Sequence, residues 1–114
     1  MTKLVVVGAA VAGLLTPTAA APARLGVTAK EFRFTLSRTT LKPGPAIIEL
    51  VNLGEDVHDL RLRRIGGWRT YGVAETKPRG RHELDLRLRP GVYRLWCSVA
   101  DHRARGMYAR FRVR

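Results

Sequence analysis

The chain has 114 residues, 46% of them apolar, and carries 21 Lys plus Arg against 9 Asp plus Glu, a formal net charge of +12. That length leaves room for one domain with a modest core and excludes the extra domains of a large multidomain enzyme. The positive field favours acidic partners or anionic surfaces, and the one cysteine, Cys97, has no intramolecular partner.

Met1-Thr2-Lys3 precede an apolar run from Leu4 to Leu15, and Thr16 to Ala23 follows as small residues and prolines. This is the layout of a secretory signal with Thr18-Ala19-Ala20 or Ala21-Pro22-Ala23 as the cleavage site. Residues 1–23 are therefore read as a signal peptide and residues 24–114 as the mature domain. The apolar run of 12 residues is too short for a spanning helix, which needs about 20, so no stable membrane insertion is expected after cleavage. An uncleaved leader is the competing reading. Export places the protein in the periplasm or outside the cell, away from nucleic acid, and the basic residues are spread over many segments instead of one patch. An unpaired thiol in that compartment is open to oxidation unless something holds it.

In chain order, Arg24 to Lys30 reads as a short approach, and Glu31 to Leu36 as a half-buried strand with Phe32, Phe34 and Leu36 on one side. Leu41 to Pro45 is a turn, and Ala46 to Leu53 is a buried strand ended by Asn52-Leu53-Gly54-Glu55-Asp56. From Val57 to Arg64 alternation returns, with His58, Leu60 and Leu62 inward and Arg61 and Arg63 outward. Ile65 to Gly80 is glycine-punctuated and reads as loop, with Trp68 and Tyr71 covering one end of the fold. Arg81 to Arg89 alternates with Leu84, Leu86 and Leu88 inward, and Pro90-Gly91 turns into a strand from Val92 to Cys97. Tyr93, Leu95 and Cys97 share a face there. The last strand puts Met107, Ala109, Phe111 and Val113 on one face and Tyr108, Arg110 and Arg112 on the other. Short strands with turns between them and no helical periodicity predict an all-β, antiparallel Greek-key β-sandwich.

Between the last two strands, four residues separate Cys97 from His102 and four separate His102 from Met107. A thiolate, an imidazole and a thioether on one loop form a soft-metal set. Two imidazoles and a thiolate in a trigonal arrangement, with a weak axial Met, is the blue-copper arrangement. His58 is the candidate for the second imidazole, since its parity points it into the core. His82 matches the parity of Leu84 but opens a strand beside Arg81, as a solvated or structural histidine does.

Asn52 to Leu60, Pro90 to Cys97, His102 and Gly106-Met107 together resemble the cupredoxins, the small blue-copper proteins, over residues 27 to 114. The loop spacing is similar to that of the rusticyanin and sulfocyanin branch; azurin-like members have one residue fewer before the Met. Ala100-Asp101 stands where many members have Pro-Gly, and Asp101 is expected to supply the left-handed turn residue. The resemblance implies one copper ion, cycling between the cuprous and cupric states, on His58, Cys97, His102 and Met107. It implies that Asp59 ties the two ligand loops together where azurin-like members carry Asn, with Asn52 pinning the turn before it; ordinary turn chemistry is the alternative for both. It also implies that electrons leave by the outer edge of His102, so that Arg103 and Arg105 flank a basic docking face.

These readings converge on an exported one-electron carrier, expected as a monomer and without enzymatic activity, serving acidic redox partners such as cytochromes or copper oxidases. A copper-delivery protein that does not cycle its metal is the alternative, and a metal-free interaction module on the same sandwich is a third. Delivery sites tend to be open and rich in Met or His, whereas this chain has two Met, one of them Met1.

Overall fold

The computed structural model describes residues 21–114 together with Thr2–Leu4 and Gly8. The leader reading thus falls mostly outside the described residues. Nine strands follow in order: β1 (Ala23–Lys30), β2 (Arg33–Leu36), β3 (Thr40–Leu41), β4 (Gly44–Asn52), β5 (His58–Arg64), β6 (Thr70–Thr76), β7 (Arg81–Leu88), β8 (Gly91–Trp96) and β9 (Tyr108–Val113). They form a four-stranded sheet in the order β2-β1-β4-β7 and a five-stranded sheet in the order β3-β9-β8-β5-β6.

Period-two alternation builds both layers, because successive side chains on a strand point to opposite faces. Leu25, Val27 and Ala29 of β1 and Ile48 and Leu50 of β4 face Leu60 and Leu62 of β5, Leu95 of β8 and Phe111 of β9 in one core. Tyr93 stacks on Phe111 with ring centroids 5.2 Å apart, and its hydroxyl accepts the Arg89 N–H at 2.9 Å. The buried phenol thus keeps a polar partner.

Four features differ from the sequence reading. Arg24 to Lys30 is no approach: with Ala23 it forms β1, a central strand, whose alternation is softened by Gly26 and Ala29. The Ile65–Gly80 stretch contains β6, which pairs with β5 from Arg63↔Thr70 to His58↔Thr76; its only large apolar side chains, Tyr71 and Val73, gave too short a pattern to stand out. Trp68 covers nothing and is 88% exposed, although Tyr71 does pack on the core. Two pairings in the sandwich, β1 with β4 and β3 with β9, are parallel.

The register defines two poles. The β4–β5 connection, the starts of β5 and β7 and the ends of β6 and β8 lie at one. The start of β1, the β5–β6 turn and the β7–β8 turn lie at the other, as the pairs Ala23↔Ala46, Gly44↔Leu88, Arg64↔Tyr93 and Gly91↔Val113 show.

Candidate metal centre

At the first pole the β5–β6 ladder shifts register between His58 and Leu60. A bulge of this kind re-aims side chains at the end of a strand. Here His58, Asp59 and Leu60 are all buried, at 0%, 2% and 0% exposure. Strict alternation would have put Asp59 in solvent. Instead its Oδ1 accepts the Ser98 N–H at 2.6 Å, its Oδ2 accepts the Ser98 hydroxyl, and Arg61 lies 3.5 Å away. Asp59 thereby joins the strand carrying His58 to the residue after Cys97.

The segment from Cys97 to Met107 is closed by its own backbone. The Cys97 N–H donates to the Met107 carbonyl at 3.1 Å, and the Met107 N–H to the His102 carbonyl at 3.1 Å. The left-handed residue of the turn is Ala100, at φ 44°, and not Asp101 as expected from the sequence. Asp101 instead binds Arg105 at 2.8 Å, and Arg105 holds its carboxyl below the usual range. Gly106 has φ +124°, and a Cβ there would lie 3.0 Å from the Phe32 carbonyl oxygen. Glycine alone suits that position.

Three donor atoms converge inside this frame. His58 Nδ1 lies 3.2 Å from His102 Nδ1, and Cys97 Sγ lies 4.0 Å from the first and 3.6 Å from the second. Cys97 and His58 are fully buried and His102 is 5% exposed. Met107, also fully buried, adjoins them through its backbone bonds to Cys97 and His102. His82, by contrast, is exposed and bonds Thr76 Oγ1 through Nδ1 at 2.8 Å.

Each imidazole meets a carboxylate at its far nitrogen. Glu31 Oε1 is 3.0 Å from His58 Nε2, and Asp56 Oδ2 is 3.5 Å from His102 Nε2. Such partners fix the proton on Nε2 and leave the Nδ1 lone pair for a metal. Two lone pairs facing each other at 3.2 Å need a proton or a cation between them, which fits a metal. The spacing fits as well: metal–nitrogen contacts of about 2.0–2.1 Å and a metal–sulfur contact of about 2.3 Å put the edges of a planar three-donor set at about 3.5–3.8 Å, and the observed edges bracket that range. Burial pushes the Cys97 thiol above its ordinary range; a bound cation would favour the thiolate.

Glu31 and Phe32 went unnoticed in the sequence, where they read as part of an ordinary alternating strand. Glu31 Oε1 also accepts the Glu55 and Asp56 N–H groups, at 2.8 and 2.7 Å, and the Asp56 bond above all pulls its pKa to about 2. Gly54 permits this approach, since a Cβ there would strike the Glu31 carboxylate. Asn52 closes the same turn, donating to the Asp56 and Thr76 carbonyls and accepting the Gly54 N–H, each at 2.8 Å. Only Gly54 could have flagged Glu31 in advance, and a glycine in a turn has many other reasons to be there.

Phe32 packs against the His102 ring at 5.1 Å between centroids, and Arg105 lies over Phe32 at 4.8 Å. Arg103 lies over Trp96 at 4.9 Å. The outer edge of His102 is therefore screened, and the rim around it mixes Asp56 and Asp101 with the two arginines.

The fold is a cupredoxin-like sandwich with a His-Cys-His cluster at one pole. Among solved structures it is similar to reduced auracyanin from Roseiflexus castenholzii, at 13% identity over 80% of this chain and 96% of that one, with a TM-score of 0.65. A reduced amicyanin mutant matches at 15% identity, 82% and 85% coverage and a TM-score of 0.59. A multicopper oxidase matches at 13% identity over 82% of this chain and 45% of its own length, with a TM-score of 0.62. No family model and no curated protein matches the sequence.

Proposed function

We propose that the protein is an exported, non-enzymatic carrier of single electrons that would hold one copper ion on His58 Nδ1, Cys97 Sγ and His102 Nδ1, with the buried Met107 as a weak further donor. The observation that carries this reading is the convergence of one thiol sulfur and two imidazole nitrogens, all within 4.8 Å of one another and all buried. Copper in such a set supplies a one-electron couple whose two states accept nearly the same geometry.

The chain's own residues keep that geometry fixed. Glu31 holds the His58 ring through Nε2, and Asp56 places a carboxylate beside His102 Nε2. Asp59 locks the His58 strand to the Cys97 segment, and the Cys97–Met107 backbone bond closes the loop, so three donors are held from two distant parts of the sequence without an ordering step. Leu60, Leu95 and Phe111 share one buried apolar core with Cys97 and Met107. A delivery protein would need its donors within reach of an acceptor; burial of all three favours retention of the metal over transfer.

Acidic redox proteins remain the proposed partners, approaching over Arg103 and the rim of His102. The deciding experiment is a visible spectrum of the purified protein titrated with cupric ion. One equivalent is expected to give an intense thiolate-to-copper absorption with a reversible potential, and Cys97→Ser is expected to abolish the colour. Colourless binding of cuprous ion with rapid transfer would instead identify a delivery protein.

A further inference from the structure

At the opposite pole, residues 21–24, 42–45, 64–70, 87–91 and 112–114 contain no Asp or Glu and eight Lys or Arg. Among the described residues, none of Arg64, Arg69, Arg87 and Arg89 is in an ion pair. From their midst the β5–β6 turn projects Trp68, 88% exposed, with Ile65 43% exposed beside it. Gly66, at φ +83°, forms the bend that lifts the indole away from the sandwich. A groove of about 300 Å³ runs beside Trp68 and is lined by those same four arginines.

A large aromatic ring held in water among unpaired guanidinium groups stabilises nothing in the isolated fold. Both parts suit one environment, the headgroup layer of a membrane, where indole rings settle and basic side chains meet phosphate. Ala23, the first residue of β1, lies at this pole, so the chain enters the sandwich from this end.

We infer that the Trp68 pole docks on an anionic phospholipid surface, directing the His58–Cys97–His102 pole away from the membrane. The inference rests on this surface alone and stands whether or not the cluster carries electrons. An acidic protein could meet the arginines, but it would need a pocket of its own for a protruding indole, whereas a lipid interface takes one as it is.

The test uses the full chain with Trp96→Phe, so that Trp68 is the one remaining tryptophan. With vesicles of phosphatidylglycerol and phosphatidylcholine, Trp68 emission is expected to shift to the blue and to be quenched by brominated acyl chains. Phosphatidylcholine alone is expected to give neither effect. Replacing Arg64, Arg69 or Arg89 by Gln should each lower the partition coefficient about fivefold. Association through residues 4–15 alone would leave Trp68 in water, and an unshifted spectrum on bound vesicles overturns the inference. Equal shifts on neutral and anionic vesicles overturn the arginine role, and a shift with polyglutamate but not with vesicles overturns the choice of lipid. If Trp96→Phe does not fold, the difference between wild-type and Trp68→Phe spectra gives the same readout.

Discussion

Asp59 has a single conspicuous job: its carboxylate takes both the backbone and the hydroxyl hydrogens of Ser98 while almost wholly buried. Hydrogen bonds to a charged acceptor contribute about 1.5–3 kcal/mol each, and stranding their donors costs more. Asp59→Ala is therefore expected to lower the unfolding free energy by roughly 2–4 kcal/mol in urea melts of the metal-free protein, with a second loss in metal affinity. Glu31 offers a pH signature. Its pKa falls from 4.5 unfolded to about 2 folded, so its contribution is complete above the higher value and disappears as pH drops through the lower one. Thermal melts of the metal-free protein across that window should show a shallower acid decline for Glu31→Gln than for wild type.

At the scale of strands, the outer face of the five-stranded sheet carries a row of like charges. Arg63 is directly opposite Arg94, and Arg94 directly opposite Arg110; all three are exposed, and among the described residues none is in an ion pair. Like charges across a ladder destabilise it by about 0.2–1 kcal/mol per pair. Arg94→Thr should accordingly stabilise the fold in low salt, and calorimetry at rising ionic strength should show the advantage shrinking. Strand identity was legible where large apolar residues alternate, as in Leu84-Leu86-Leu88 or Tyr93-Leu95-Cys97, and was lost in β1, where Gly26 and Ala29 soften the alternation of Leu25 and Val27. The Cys97, His102 and Met107 spacing made the candidate centre legible too. β6 was hidden because Gly72 and Ala74 blunt its pattern. The burial of Asp59 was hidden because a register shift cancels the parity argument, and the Glu31 contact because 27 residues separate it from His58 and only the β1–β2 turn brings them together.

Across the whole molecule the charges are sorted as well as numerous. Glu31, Glu55, Asp56, Asp59 and Asp101 all gather at the metal-cluster pole, where Lys30, Arg33, Lys77, Arg79 and Arg81 also lie, and beside His102 the rim mixes Asp56 and Asp101 with Arg103 and Arg105. Arg105 is occupied by Asp101 and Phe32, so Arg103 is the freer charge for steering a partner. Arg103→Glu should slow association with an acidic redox protein several-fold at about 0.01 M salt and far less at about 0.15 M, where the Debye length is about 8 Å; stopped-flow mixing at the two concentrations checks this.

The position of β1 reaches beyond the sandwich itself. It lies between β2 and β4, and its first rung is Ala23 against Ala46. On the leader reading, a peptidase cutting after Ala20 would leave Ala21-Pro22 as a short spare stub and keep every rung. Cutting after Ala23 would sever the chain inside the sheet, possible only before that strand has docked. Maturation and folding would then be in a race, with the enzyme obliged to act while the polypeptide is still emerging.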